Sequence, residues 1–175
     1  NKHTFSFAAD VTFDKNNPTT LWETNNAILQ GLIPVETSEN YKILQQKESK
    51  NTAVNAIFKH YWVLNNFNHI YTTLGNKYNN ESFFTEDSQQ LADGTTNNFA
   101  SAGFGNDLDY QLNDLFLGVH YKFKTGIFEL KQGAFLHAYN WDLDQQFSKK
   151  SNKIVLLPDF SAEIKFSNSK KIKLN

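Results

Sequence analysis

Two acidic triplets are the first residues in this chain whose type and spacing could do chemistry. They are Asp107-Leu108-Asp109 and Asp142-Leu143-Asp144, and each lies in a polar stretch that we interpret as a long loop. Alternating carboxylates on a loop can supply oxygen ligands to calcium. The EF-hand pattern also needs a glycine at its sixth position and a glutamate at its twelfth, and neither triplet meets it. We therefore treat Asp107, Asp109, Asp142 and Asp144 as weak calcium candidates, with solvated loop acids as the alternative.

The histidines are the second group that could bind a metal. There are five of them, and two pairs flank predicted turns: His60 and His69 around Asn65-Asn66, and His120 and His137 around Thr125-Gly126. Pairing around the second turn with residue numbers that sum to about 251 places His120 opposite Lys131. Since a metal site needs three or four ligands with supporting contacts, we predict that the histidines are polar lining or interface residues. We expect no metal and no cofactor.

Motifs of catalysis and nucleic-acid binding are missing from the sequence. It contains no nucleophile elbow, Walker loop, dinucleotide fingerprint or zinc-protease motif, and Gly103-Phe104-Gly105 lacks a third glycine. There is no cysteine, which excludes disulfides, thiol catalysis and zinc–thiolate sites. The net charge is -1, which gives no electrostatic case for binding nucleic acid. We therefore predict that the protein is not an enzyme and does not bind nucleic acid.

The stretch from 114 to 139 indicates what kind of element carries these residues. Its first half alternates, with one face apolar and the other built from glycine, histidine and lysine, and Phe116 as an exception. The second half repeats the pattern after a turn at Thr125-Gly126, with Gln132 breaking the apolar face. A period of two is typical of a β-strand, and a glycine-containing turn between two such runs indicates a hairpin. The predicted apolar faces are Leu115, Leu117, Val119, Tyr121 and Phe123 in the first run, and Phe128, Leu130, Ala134, Leu136 and Ala138 in the second.

Seven alternating runs of this kind follow one another along the chain. Three predicted connections are short (65–66, 125–126 and 167–170) and three are long and polar (about 14–52, 75–113 and 140–153). Strict alternation of short and long connections is typical of an up-and-down membrane barrel, with short periplasmic turns and long extracellular loops. The seven runs are 3–13, 53–64, 67–74, 114–124, 127–139, 154–166 and 171–175.

The sequence therefore predicts an all-β fold: antiparallel up-and-down transmembrane strands forming a fragment of a larger barrel. We assign residues 1–175 to one outer-membrane barrel domain of about seven strands, without a plug domain. The alternative is a soluble β-sandwich or barrel with its apolar face turned inward, which predicts the same alternation. Long structureless loops count against it, because they are uncommon in compact domains.

Three segments also resemble a known family. They are Phe58–Tyr71, Asp114–Lys124 and Leu157–Phe166, and they are similar to the barrel portion of TonB-dependent-receptor-like outer-membrane proteins of Bacteroidota. The resemblance covers most of residues 53–175 and concerns strands and turns. It implies energised uptake of a bulky nutrient, or a structural place in an outer-membrane complex.

Three functions remain open at this point. The first is a transport barrel whose polar strand face lines the lumen. The second is a non-transporting barrel that serves as a structural subunit of a secretion or assembly complex. The third is a soluble β-rich binding domain. The resemblance implies that the partners are outer-membrane lipid, the remaining strands or plug of the same protein, and TonB, a surface lipoprotein or other complex subunits.

Overall fold

The computed structural model describes residues 2–26, 31–167 and 170–174. It shows an all-β antiparallel up-and-down sheet of nine strands, which stays open among these residues and is consistent with a fragment of a barrel. Among the described residues, one 3₁₀ turn, Ala100–Ala102, lies between two of the strands. The described residues contain no helix long and apolar enough to cross a membrane. The strands are β1 (His3–Asn16), β2 (Thr19–Thr24), β3 (Tyr41–Val63), β4 (Asn68–Gln90), β5 (Thr96–Asn98), β6 (Asn106–Thr125), β7 (Phe128–Asp144), β8 (Ser148–Lys165) and β9 (Lys171–Leu174).

Seven of the nine strands form one path across the sheet, in the order β1-β3-β4-β6-β7-β8-β9. Each predicted run falls on one of these seven strands. The short β2 and β5 pair with β3 and β4, respectively. The all-β antiparallel fold class predicted from the alternation is therefore confirmed.

The long connection predicted over about 14–52 is wrong at its start. Strands β1 and β2 both pair with β3 in one continuous register. His3 of β1 faces Trp62 of β3, and Thr24 of β2 faces Tyr41 of β3. The amide of Lys47 even donates to the carbonyl of Pro18 at 3.0 Å, inside the interruption. Proline removes one donor but leaves the strand straight, so β1 and β2 form one interrupted strand along β3.

The predicted long loops are largely strands as well. β3 and β4 extend as a hairpin from the turn at 64–67 to Tyr41 and Gln90, and β7 and β8 extend until only residues 145–147 connect them. Among the described residues, what remains as connection on this side is 25–26, 31–40, 91–105 (which contains β5) and 145–147. The sequence prediction ended each strand where the apolar alternation stops, whereas the strands themselves continue past that point.

The predicted turn of the central hairpin is displaced by one residue. The two-residue turn is Gly126-Ile127, with Gly126 at φ 52°, a left-handed conformation that glycine adopts without a steric penalty. Thr125 therefore pairs with Phe128, and the paired residue numbers sum to 253. His120 faces Gly133 and not Lys131. The sum of paired residue numbers thus changes by two, from about 251 to 253, and a change by two keeps every side chain on its predicted face.

The two faces of the sheet differ in exposure. On β6, Asp114, Phe116 and His120 are buried, whereas the alternate residues Leu117 and Val119 are 44% and 50% exposed. In the described part of the chain, the strands contact one another only as neighbours in the sheet at this level, and no second layer covers either face. We call the side of Asp114 and His120 the inner face and the side of Leu117 the outer face.

Candidate functional site: an apolar outer band and an inner ring cluster

An apolar band crosses the outer face. Its middle is one row of directly paired residues that runs over six strands, and each of them is large, apolar and exposed. Direct cross-strand partners point to the same side of a sheet, so these side chains form one continuous surface. The row is Phe7, Phe58, Leu74, Leu117, Leu136 and Leu156.

The length of this outer band is similar on every long strand. It covers nine residues on β1 (5–13), β3 (54–62) and β6 (115–123), and eleven on β7 (128–138) and β8 (154–164). A tilted strand that crosses a bilayer needs about 9 to 11 residues. His60, Thr72, Asn76 and Gln132 are the polar interruptions on the described strands of the band.

A row of polar residues ends the outer band on the side of the long connections. We call it the polar rim; its members are direct partners in neighbouring strands: Thr52, Asn80, Gln111, Asp142 and Lys150. On β6 and β7 beyond the polar rim, the outer face stays polar, whereas the inner face becomes apolar. On β6, for example, Asp107 and Asp109 face outward and Leu108 and Tyr110 face inward. On β3 and β4 both faces are mixed there, with Leu44 and Phe84 on the outer face and Lys47 and Asp87 on the inner face.

This inversion explains why the sequence pattern failed beyond the band. Within the band, the apolar side chains point out and the inner face is mixed; beyond it, the apolar side chains of β6 and β7 point in, as in a water-soluble sheet. The strand continues through the boundary, but the face that carries the apolar residues switches. A single alternation rule therefore cannot follow the strand from one end to the other.

The inner face of β6 and β7 carries a continuous cluster of aromatic rings. His137 stacks on Tyr139 (centroids 5.4 Å apart) and on Phe116 (5.2 Å), and Phe135 meets Phe116 and His120 edge to face at 6.2 Å and 4.8 Å. The ring cluster comprises Tyr139, His137, Phe116, Phe135 and His120. The edge-to-face and stacked contacts lie in the range expected for stabilising aromatic pairs.

Three glycines make room for these rings. Gly75, Gly118 and Gly133 lie opposite Phe116, Phe135 and His120, respectively. A Cβ atom at Gly75 or Gly118 would collide with the ring of its partner, and one at Gly133 would collide with the carbonyl oxygen of Val119 and with His120. The glycines therefore let the rings lie against the sheet.

Gly133 also lets one side chain span three strands. His120 on β6, Gly133 on β7 and Asp159 on β8 form one row of direct partners. Because Gly133 has no side chain, the imidazole passes over it, and Nε2 of His120 lies 2.9 Å from Oδ2 of Asp159. Nζ of Lys131 approaches the same carboxylate oxygen at 3.2 Å.

A second histidine–carboxylate pair lies at the other end of the ring cluster. Nδ1 of His137 is 2.8 Å from Oδ1 of Asp114, and both side chains are largely buried. The pair is diagonal across β6 and β7, since Asp114 faces Tyr139 directly. Sequence reasoning placed His120 opposite Lys131 and gave His137 no partner, because the pairing depends on the register of the hairpin and on Gly133.

The other three histidines lie away from this ring cluster. Nδ1 of His3 is 3.0 Å from Nε2 of His60 on the outer face, where the two rings stack. His69 lies on the inner face, 2.7 Å from the hydroxyl of Tyr61. Among the described residues, no group of three or more histidine, aspartate or glutamate side chains is arranged to hold a metal ion.

Three of the four calcium candidates come together on the outer face. Asp109 and Asp144 are direct partners, and with Asp142, Asn80 and Gln111 they line a depression of about 330 Å³. Asp107 lies one step further along β6, opposite Phe84. All four lie on strands, so their predicted placement on loops is wrong, for the reason that the strands continue beyond the band.

One of these carboxylates is already paired with a cation. Oδ2 of Asp142 is 2.6 Å from Nζ of Lys150, and this hydrogen bond and the attraction between the charges raise the pKa of Lys150. The ammonium thus stands beside the depression where a calcium ion would have to bind. The carboxylates are clustered in the depression, but among the described residues they are not arranged as the ligands of a metal ion.

The inner face beyond the polar rim is partly covered by the chain itself. The side chain of Gln89, fully buried, accepts from the amide of Glu36 at 2.7 Å and donates to the carbonyl of Glu36 at 2.8 Å. Asn97 donates to the carbonyl of Pro34 at 2.9 Å. These bonds hold the segment around residues 34–36 against the inner face of β4.

The fold and this site define an open, up-and-down antiparallel sheet with an apolar outer band and a mixed inner face. Comparisons with models of known protein families and with curated proteins find no match to this chain.

Proposed function

We propose that this chain is part of the wall of an outer-membrane β-barrel, with the outer band in contact with lipid. The observation that carries the proposal is the outer band: a continuous exposed apolar surface, nine to eleven residues tall, that ends at a polar rim. A membrane barrel needs an outward apolar band of about this height with a polar interior. The inner face meets the second requirement with His120, Lys131, Asp114 and Asp159.

The band argues against the soluble alternative. A soluble β-sandwich buries its apolar faces between two sheets, whereas here the central row of the band is exposed on all six strands. Soluble monomers rarely expose contiguous apolar patches larger than a few hundred Å². The inversion of polarity on β6 and β7 at the rim adds a second argument, because a sandwich core would keep its apolar residues on one face throughout.

Within the class of outer-membrane barrels, we propose a TonB-dependent-receptor-like role in nutrient uptake. The support is the resemblance of three strand segments to that family, together with an inner face rich in ionisable side chains and aromatic rings. A non-transporting structural subunit is the competing role. The intact protein, solubilised from its membrane, should bind the purified periplasmic domain of TonB in a pull-down. A barrel that fails to bind it would keep its membrane assignment and lose the receptor role.

The fluorescence of three tryptophans provides a test of the membrane assignment that does not depend on disrupting the fold. Trp62 lies on the outer face at the turn end of the band, whereas Trp22 lies on the inner face beyond the polar rim and Trp141 on the inner face at the level of the rim. In vesicles of brominated phosphatidylcholine, we expect the fluorescence of Trp62 to be quenched, because bromine on the acyl chains quenches only nearby indoles. We expect Trp22 and Trp141 to keep most of their emission.

Two variants separate the signals in this experiment. Among these 175 residues, the double substitution Trp22→Phe and Trp141→Phe leaves Trp62 as the only tryptophan, and Trp62→Phe leaves the other two; the quenching of each variant is compared with that of the unsubstituted protein. Strong quenching in the first variant and weak quenching in the second would support the proposal. Equal quenching in both would contradict the position of the band, and no quenching in either would favour the soluble domain.

A further inference from the structure

We propose that the outer face of β3 and β4 is a contact between two copies of this protein, inserted side by side in the same orientation. The proposal rests on the membrane location proposed above, because a polar side chain on the outer face is unusual only if that face lies in lipid. It goes further by naming the part of the outer band that meets protein in place of lipid.

The polar interruptions of the outer band are gathered on two neighbouring strands. His60 on β3 and Thr72 on β4 are direct partners, and Asn76 follows on the same face of β4. We call these three residues the polar patch. The fourth interruption, Gln132, lies at the turn end of β7. In the two rows that contain the polar patch, the direct partners on β6, β7 and β8 are all apolar: Val119, Ala134 and Pro158 in one row, and Leu115, Ala138 and Ile154 in the other.

Each member of the polar patch has hydrogen-bonding capacity that the described residues do not use. The hydroxyl of Thr72 makes no side-chain hydrogen bond with any of them. Asn76 donates to the carbonyl oxygen of Asn113 at 2.7 Å, which leaves its own carbonyl oxygen and its second amide hydrogen without a described partner. Nε2 of His60 lies 3.0 Å from Nδ1 of His3, and within the described chain its Nδ1 has no such contact. Polar groups left in this state are costly in lipid, because no water is present to bind them.

The chemistry of the polar patch fits a second copy of the same surface. A hydroxyl, an amide and a neutral imidazole each donate and accept hydrogen bonds, so each can pair with a group of its own kind. Neither Thr72 nor Asn76 carries a charge that would repel its counterpart. Hydrogen bonds between such side chains also join membrane-spanning segments, where burial of apolar surface gives no driving force for association.

Two-fold symmetry brings the matching groups together. Two copies inserted with the same side outward can be related by a rotation only about an axis normal to the membrane, and this rotation keeps every residue at its own depth. In such a contact, one surface patch meets the same patch of the other copy. Leu74 is 47% exposed and lies between Thr72 and Asn76 on the outer face of β4. An axis near Leu74 therefore places both polar residues beside their counterparts.

A cysteine at Leu74 tests this contact directly. These 175 residues contain no cysteine, so Leu74→Cys is made in the intact protein after replacement of any cysteine outside them by serine. A short bifunctional thiol reagent is applied to native membranes, because two sheets that pack face to face lie about 10 Å apart. Leu136→Cys is the matched control, since Leu136 lies in the same row on β7 and is 45% exposed. We expect most of the Leu74→Cys protein to run as a cross-linked dimer and the Leu136→Cys protein to run as a monomer.

A second pair of variants tests the hydrogen bonds of the polar patch. In the Leu74→Cys background, Thr72→Val combined with Asn76→Leu should lower the cross-linked fraction by about fivefold to tenfold, as expected for two hydrogen bonds of the strength measured within membranes. Gln132→Leu is the control, because it removes a polar side chain of the outer band outside the polar patch. The heat-modifiable, membrane-inserted fraction should stay unchanged in both variants, since apolar side chains are compatible with lipid.

The outcomes separate this contact from the membrane assignment. A Leu74→Cys product of twice the intact mass, absent from Leu136→Cys, would support the contact. No product, or equal products from both positions, would overturn it, and a product that contains a different protein would overturn the second copy as the partner. Loss of lipid quenching at Trp62, which lies outside the polar patch, would contradict the membrane assignment. If that quenching is strong and Leu74→Cys does not cross-link, the contact alone is wrong.

Discussion

Replacement of Leu117 by arginine is expected to prevent most of the protein from assembling in the membrane. Leu117 lies in the middle row of the outer band, with Leu74 and Leu136 as direct neighbours, and its side chain points out of the sheet. A charged residue on the lipid face near the bilayer midplane costs about 2–4 kcal/mol. The measurement is the folded, membrane-inserted fraction, or the free energy of unfolding from lipid vesicles.

Gln111→Arg is the matched control for this prediction. Gln111 lies on the same strand and the same face, six residues away, in the polar rim beside Asn80 and Asp142. Arginine at this level should cost about 0–1 kcal/mol, as near the membrane interface. The nearby carboxylates would also favour a positive charge.

The pair of variants distinguishes lipid from water. If the outer face lay in water, both side chains would point into solvent, and both substitutions would have small and similar effects. Equal tolerance of Leu117→Arg and Gln111→Arg would therefore contradict the lipid-facing band. Equal loss would indicate instead that the outer face is covered by protein along the whole strand.

The sequence predicted the faces of the strands well and their lengths poorly. Within the outer band, alternation placed Leu117 and Leu136 on one face and His120 on the other, as the structure shows. Alternation depends only on the local period of two, which survives any error in the turn. Strand ends depend on where the pattern stops, and at the polar rim it reverses without stopping.

The ring cluster could not be predicted from local pattern. A displacement of the predicted turn by one residue gave His120 the wrong partner, and only the correct register places it over Gly133 and beside Asp159. The signal that could have found it is glycine in the middle of strands β4, β6 and β7. A glycine inside a strand often marks a close approach by another group.

The polar rim connects the fold to the proposed location. A strand that only had to fold in water could keep its apolar side chains on one face from end to end. β6 instead carries Leu117 outward and Tyr110 inward along one continuous ladder. A strand needs this reversal if one part lies in lipid and the rest extends into water. In the part that extends into water, only the inner face is shielded from solvent.

Gly133→Ala is the second substitution for which we expect a large effect. A Cβ atom at this position would lie 2.7 Å from Cα of His120 and would also meet the carbonyl oxygen of Val119. Backbone atoms cannot rotate away, so β6 and β7 would have to separate locally. Overpacking of this kind costs about 1–3 kcal/mol, and the path of His120 to Asp159 would be blocked in addition.

The other two glycines should be more tolerant, since a Cβ atom at Gly75 or Gly118 meets the rings of Phe116 and Phe135, which can turn. Ala134→Val is the control: Ala134 is the next residue on β7, points to the outer face, and should accept a β-branched side chain at little cost. The free energy of unfolding in lipid should therefore fall most for Gly133→Ala, less for Gly118→Ala, and hardly for Ala134→Val. If Gly133→Ala were as stable as Ala134→Val, the imidazole of His120 could not lie over Gly133, and the three-strand contact with Asp159 would be wrong.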